Sequence, residues 1–364
     1  MMRRAIVIVL DGCGAGAAPD FADYGDAPGA STLRHVWEAS GGFCAPNLTK
    51  VGFLAAAGIA NLQAPSQGQF GRLKPLSKGG KDSVTGHWEM MGITLDHPFP
   101  TYPNGFPLSL VREFEGAIGR DVIGNRAASG TEILDQLGPE HLATGKPILY
   151  TSADSVFQLA AHEEIVPIET LYEWCEIGRK LSDAQRVIAR PFVGSPGAFR
   201  RTERRKDYPV TPPSNFVDEI GDVLGIGVVP ELFSGRGFRR VHRTQNNAEH
   251  GRFLLESLSS EARFIFANFE DFDMLYGHRN NPLGFARCLE DFDEFLGDLG
   301  TKLTSEDLLI LTADHGNDPT TVSTDHTREY IPFVQISASS TGIRLGDQDG
   351  FQHVGLAVKN WLSS

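Results

Sequence analysis

The chain has 364 residues, of which 41% are hydrophobic and 22% charged, and a formal net charge of −13. That length predicts two domains or one core carrying a large insertion, with enough aliphatic residue for a sizeable core. The acidic balance excludes a general nucleic-acid binder, which needs a basic face for phosphates, and no apolar run is long enough to cross a bilayer.

The first element is AIVIVL (5–10), a buried strand by its unbroken apolar character. Arg3 and Arg4 precede it as they would in a signal peptide, but the run ends in Asp11 with no small-residue cleavage site after it. Cys13, Cys44, Cys175 and Cys288 are scattered and form no C-x-x-C, which predicts reduced thiols and a cytoplasmic setting. After the strand, Gly12, Gly14 and Gly16 give G-x-G-x-G followed by Ala17, not G-x-G-x-x-G. A carboxylate at that strand end would repel a pyrophosphate, so a dinucleotide cradle is disfavoured.

Next comes GGKDSVTGHWEMMG (79–92), in which Thr85 precedes a stretch of helical character. Thr85 reads either as an N-cap satisfying a free backbone N–H, or as a nucleophile for phosphorus activated by the helix dipole and a metal. In the second reading Lys81 neutralises phosphate oxygens. Two proline-rich joints follow, HPFPTYPNGFP (97–107) and KDYPVTPPS (206–214), and such segments resist both helix and sheet. Between them lie the strand-like PILYTSA and RVIARPF and the helix-like IETLYEWCEIGRKL. This predicts a smaller α/β unit, residues 98–212, inserted between core segments 1–97 and 213–364. A basic cluster, Arg200, Arg201, Arg204, Arg205 and Lys206, reads on composition alone as a solvated loop.

Two more continuously apolar strands, RFIFANF (263–269) and DLLILTA (307–313), alternate with amphipathic stretches at 248–258, 283–299 and 354–362. The alternation predicts an α/β fold whose mostly parallel sheet is covered on both faces. Each buried strand runs into aspartate: Asp11, then Asp271 and Asp273, then Asp314. Ligands in such sheets sit at the carboxyl ends of the strands, so these carboxylates converge, and converging carboxylates need a cation. His278, His315 and His326 lie nearby in sequence, and an Asp/His set suits Mn²⁺ or Zn²⁺ better than Ca²⁺. Asp273 and His278, five apart, would point about 140° apart on an α-helix, which predicts a loop there. Asp314 and His315 must likewise lie past the strand end.

GKDSVTGHWEMMG, DFDMLYGHRNN, LTADHGNDPT and TDHTREYIPF, in this order, resemble the phosphopentomutases of the alkaline phosphatase superfamily. VLDGCGAGAAPD, YTSADSVFQLAAHEE and RVIARPFVGSPGAF fit the same pattern, so the resemblance runs from the first strand to about residue 335. It implies an alkaline-phosphatase-like core with an inserted cap. It also implies two Mn²⁺ ions, one held by Asp11, Asp314, His315 and the Thr85 oxygen, the other by Asp273, His278 and His326. The implied reaction interconverts pentose 1- and 5-phosphates, ribose or deoxyribose, through phospho-Thr85 and a sugar bisphosphate. Ser152, Asp154, Arg190 and Arg205 are the implied sugar-phosphate contacts. One position departs: the family's Ile-Gly-Lys is here Ile-Gly-Val, with Val228 at the lysine, and Arg236, Arg239 or Arg240 are candidate replacements. A mutase for another sugar phosphate, or a phosphatase or phosphodiesterase with water as acceptor, remain the alternatives.

Overall fold

The three continuously apolar runs become adjacent, parallel strands at the middle of a sheet. The computed structural model describes residues 3–152 and 155–364. Its strands in chain order are β1 (Arg4–Leu10), β2 (Gln69–Lys74), β3 (Ile123–Ala127), β4 (Ile148–Thr151), β5 (Val156–His162), β6 (Arg186–Val193), β7 (Arg200–Arg201), β8 (Lys206–Pro209), β9 (Val223–Ile226), β10 (Phe238–His242), β11 (Phe264–Phe269), β12 (Asp307–Thr312), β13 (Ile331–Ile336) and β14 (Ile343–Asp349). The chain divides into two compact units, Met1–His97 with Pro212–Ser364, and Pro98–Thr211.

The larger unit holds an eight-stranded sheet in the order β10-β9-β11-β1-β12-β13-β2-β14. Only β13 runs against the others, pairing antiparallel with β12 and β2. Ala5 through Leu10 of β1 are 0% exposed, which requires cover on both faces of the sheet. The amphipathic stretches supply helices Asn247–Ser257, Pro282–Gly300 and His353–Ser363. Parallel pairing from β9 to β12 brings the carboxyl ends of these strands to one edge.

The smaller unit carries its own sheet, β3-β4-β5-β6-β7, with β8 also on β6. IETLYEWCEIGRKL forms the helix Ile168–Leu181, whose Leu171, Trp174 and Cys175 pack into a core with Phe114 and Phe157. The second proline-rich joint is not wholly irregular: Lys206–Pro209 pairs with β6, and Pro209 ends that strand opposite Arg186. A strand end at the sheet edge is where a residue without an N–H is tolerated.

Ser83–Met90 is a helix, but its cap is Asp82, not Thr85, which sits in the first turn. This corrects the N-cap reading of Thr85: Asp82 Oδ1 accepts the Thr85 backbone N–H at 3.1 Å. The helix is anchored from its other end by Glu89, 1% exposed. Its carboxylate accepts the backbone N–H groups of Leu76, Ser77 and Phe351 and so ties three segments together. Replacing Glu89 by Ala leaves three buried donors unpaired. It should cost about 2–4 kcal/mol in urea denaturation, whereas an effect below about 0.5 kcal/mol would mean the segments hold without it.

Candidate metal centre and nucleophile

The carboxyl edge of the sheet gathers two groups of potential metal ligands, Asp11 with Asp314 and His315, and Asp273 with His278 and His326. Within each group the donor atoms lie within 4.8 Å of one another. In the first, His315 Nε2 is 3.3 Å from both Asp11 Oδ1 and Asp314 Oδ2. In the second, His278 Nε2 is 3.1 Å from Asp273 Oδ2, and His326 Nε2 is 3.3 Å from Asp273 Oδ1. The groups adjoin through the His315 and His326 rings, stacked with centroids 3.9 Å apart.

Asp273 and His278 do not lie on a loop. Phe272–Tyr276 forms a π-helical turn, and Gly277–Arg279 tightens into a 3₁₀ turn. A separation of about 140° for residues five apart holds only in α geometry. A wide π turn, closed by i→i+5 bonds, brings residues five apart into near register, and such turns concentrate at functional sites.

Glycines in DGCGAG serve carboxylates, not phosphates. Gly12, at φ +74°, donates its N–H to Asp314 Oδ1, and a Cβ there would lie 3.2 Å from Asp273 Oδ1. A Cβ on Gly14 would fall 2.4 Å from Glu329 Oε2, and the Gly16 N–H donates to that same oxygen. Gly86, beside Thr85, has the same function from the other side: its Cβ would meet the Asp314 carbonyl at 2.3 Å. Only glycine lets the Thr85 helix approach so closely.

Crowded charge governs the ionisation of these groups. Burial, then the neighbouring Asp314 and Asp273, raise the Asp11 carboxyl well above its ordinary range. Asp314 is raised by burial too, with His87 working against it. Burial also opposes charge on Asp273, but hydrogen bonds from His278 and His326 outweigh it and hold that carboxyl below its usual range. The same bond from Asp273 lifts His278 to about 9. Burial and the charge of His326 push His315 down to about 3, so its ring is neutral and keeps a lone pair.

These residues fit divalent cations. Asp11 Oδ1 and Asp314 Oδ2 are buried with no hydrogen-bond donor among the described residues, the condition of carboxylate oxygens prepared for a cation. The His278 Nδ1 lies 2.6 Å from the Thr324 carbonyl, which orients Nε2 toward Asp273, as a metal-ligating imidazole is commonly oriented.

Thr85, 2% exposed, lines the pocket that also contains Asp314 and His315. Its hydroxyl donates to Asp82 Oδ2 at 2.9 Å. Lys81 lines the same pocket, but its ammonium is already paired, 2.6 Å from Asp26 and 3.2 Å from Asp325. Val228 follows β9 at the same carboxyl edge, and its backbone N–H donates to Glu270. Arg236 does not stand free to replace a lysine there, because it is fixed on Asp218, Pro212 and Ser214.

The remaining candidates belong to the smaller unit. Arg201, Arg190 and Arg205 all lie near enough for their charges to act on the Tyr150 hydroxyl. Arg190 Nε donates to Gln158, and Arg205 holds Asp207 through two bonds of 2.6 Å. Ser152 directly follows β4, while Asp154 lies outside the described residues. The basic run read as a solvated loop is therefore in part structured, with Arg200 and Arg201 forming β7.

Sequence reasoning missed Asp82, His87, Asn268, Asn317 and Glu329. Asn268 donates to Asp11 Oδ2 at 2.6 Å and Asn317 to Asp273 Oδ1 at 2.7 Å. Asn268 left a signal as the polar residue inside FIFANF; Glu329 left none.

The family model of the Metalloenzyme superfamily matches residues 3–362. A phosphopentomutase from Dictyoglomus thermophilum is 47% identical over 377 residues, covering 100% of this chain and 95% of that protein. One from Clostridium acetobutylicum is 44% identical, with coverage of 100% and 96%. Among solved structures, the PH0037 protein from Pyrococcus horikoshii matches with a TM-score of 0.53 at 17% identity, covering 100% of this chain and 98% of that one, a likeness of fold. The chain thus belongs to the Metalloenzyme superfamily and, within it, to the phosphopentomutase family. It is a metal-dependent phosphomutase.

Mutual repulsion of Asp11, Asp314 and Asp273 makes an opposite-sign prediction. Asp11→Asn should stabilise the metal-stripped protein by about 1 kcal/mol, roughly 1–2 °C in melting temperature, while removing most of the stabilisation that added Mn²⁺ confers on the parent. Equal metal-induced shifts in both proteins would exclude Asp11 as a ligand.

Proposed function

We propose that the enzyme interconverts pentose 1-phosphate and pentose 5-phosphate, with Thr85 as the residue that carries the phosphoryl group between them. The observation that supports this most is the placement of Thr85: first turn of a helix, hydroxyl fixed by Asp82, in one pocket with Asp314 and His315. Asp11, Asp314 and His315, with the Thr85 oxygen, would hold one Mn²⁺, and Asp273, His278 and His326 the other. When bound, such ions offset the charge that develops on the attacking and leaving oxygens of phosphoryl transfer. Three aspartates and two divalent ions leave the site slightly cationic, which favours a phosphate despite the acidic chain.

The Asp82 bond sets the direction of the Thr85 oxygen, and the helix N-terminus stabilises negative charge on it. In the proposed cycle the bond from phosphorus to Thr85 Oγ1 breaks as a bond to the free sugar oxygen forms, giving a sugar bisphosphate. The other phosphoryl group then returns to Thr85, so the net reaction is an isomerisation with no water consumed. Lys81, neutralised by Asp26 and Asp325, would hold the approach segment in place more than it would bind phosphate. The smaller unit would bind the sugar phosphate through Ser152, Asp154, Arg190 and Arg205. Unpaired thiols on all four cysteines agree with a cytoplasmic setting, and no helix among the described residues is long and apolar enough to cross a membrane.

The test is product analysis with Mn²⁺, ribose 5-phosphate and a trace of sugar bisphosphate. Ribose 1-phosphate without free phosphate is expected; free phosphate as the main product would replace the mutase with a hydrolase. Thr85→Ala should lower turnover about a thousandfold or more, and retained activity would remove Thr85 from the phosphoryl path. Val228→Lys restores an ammonium at the sheet edge and should lower KM for ribose 5-phosphate about tenfold. An unchanged KM would point to a different sugar.

A further inference from the structure

In each metal group one aspartate shares its carboxylate with a buried asparagine that is not itself a candidate ligand. Asn268 stands in β11 opposite Val9 of β1, 0% exposed, and its Nδ2 donates to Asp11 Oδ2 at 2.6 Å. Asn317 lies in the segment that leaves β12, 1% exposed. Its Nδ2 donates to Asp273 Oδ1 at 2.7 Å. Two different parts of the chain thus bring the same amide to the same kind of acid.

The carboxylate sets the orientation of each amide. Asn268 Oδ1 and Asn317 Oδ1 are buried with no donor at bonding geometry among the described residues. Reversing either amide would put that oxygen against a carboxylate oxygen, so the nitrogen faces the acid although the amide oxygen goes unsatisfied. The fold makes room for this arrangement. A Cβ on Gly277, next to His278, would lie 2.7 Å from Asn317 Nδ2. The Asn317 backbone is fixed as well, its N–H directed to the Gly12 carbonyl at 2.9 Å and to Thr32 Oγ1 at 3.1 Å. An amide donates without bringing charge, whereas a lysine in its place would neutralise the acid and compete with a cation. Burial, Asp314 and Asp273 raise the Asp11 carboxyl, and the Asn268 bond works the other way, toward the ionised form that a cation needs.

We propose that Asn268 and Asn317 are positioning residues, one for each divalent cation, that assign the ligand atom: Oδ1 of Asp11 and Oδ2 of Asp273. The inference rests on the ligand sets given under the proposed function. With Oδ2 taken by Asn268, Asp11 keeps Oδ1, which is buried without a donor among the described residues. With Oδ1 taken by Asn317, Asp273 keeps Oδ2, which faces His278 Nε2 at 3.1 Å. A carboxylate pinned in this way offers its ion one oxygen, not two. Coordination positions then stay open for the Thr85 oxygen and for phosphate oxygens.

The experiment titrates Mn²⁺ into the metal-stripped whole chain and follows the free ion by its EPR signal. The parent should bind two ions and Asp11→Asn one. Asn268→Leu should weaken one ion about 10–100-fold and leave the other within about threefold, and Asn317→Leu should weaken the other one. In the Asp11→Asn background Asn268→Leu should cost nothing further, whereas in the Asp273→Asn background it should still weaken the ion that remains. Asn268→Ala and Asn317→Ala, which cannot overpack the site, should repeat the pattern. Parent-like binding of both ions by the Leu and Ala variants of either asparagine would overturn the proposal. So would loss of both ions together in either Ala variant, because damage that spares neither site is structural. Asp11→Asn that still bound two ions would overturn the ligand reading, and this inference with it; loss of one ion there beside undiminished binding in the asparagine variants would overturn the inference alone.

Discussion

Three carboxylates forced together in a dry place are the constraint on which the catalytic edge depends. Asp11, Asp273 and Asp314 are all buried, and each raises or is raised by another. A folded protein accepts that only where positive charge is supplied. At Asp273 it comes from His278 and His326, which form an ion-paired triad with it. Around Asp11 and Asp314 no such cation stands among the described residues: burial lowers both His315 and His87. The two groups therefore differ in kind. In one, two imidazoles face the carboxylate at 3.1 and 3.3 Å, whereas the other keeps buried carboxylate oxygens without a hydrogen-bond donor among the described residues.

Supporting residues turn this repulsion into geometry. At Asp314 a backbone N–H faces the carboxylate, and glycine lets it do so. Gly12 donates to Asp314, while Gly86 allows the Thr85 helix to lie against the same residue. Glu329 fills the space beneath, accepting from Gly16, Thr32 and Thr327. A side chain at Gly14 or Gly316 would collide with it. Strand β1's loop and the segment before β13 are thus joined through one buried acid.

Legibility in the sequence followed the strength of the local signal. AIVIVL, RFIFANF and DLLILTA are unambiguous because strands buried on both faces tolerate no polar alternation, and all three became adjacent central strands. Strands beyond the reversed one, Gln69–Lys74 and the edge strand Ile343–Asp349, carry charge and glycine, and their pairing is settled by tertiary contacts that no local window contains. The aspartates were readable from their place after strands. His278 was readable as a residue type but not as a conformation, since a π turn breaks the 3.6-residue rule on which spacing arguments rest. Asp82 and Thr85 are both capping residue types, and only the start of the helix at Ser83 decides between them. Glu329 was invisible because Gly16 and Thr32, which it joins, lie about 300 residues away in sequence.

The placement of Thr85 follows from these two levels together. A short helix has little intrinsic stability, and Ser83–Met90 is only eight residues. It is held instead at both ends, by Asp82 at its start and by Glu89 near its finish, with Gly86 pressed to the Asp314 backbone between them. Each anchor is an acid accepting backbone N–H groups, so the helix is fixed without introducing a cation that would compete with a metal for Asp11 and Asp314. The same logic explains why Lys81, the nearest ammonium in sequence, is turned onto Asp26 and Asp325. Positive charge is kept off the two unsatisfied carboxylates, and the place next to the threonine oxygen stays available to a divalent ion.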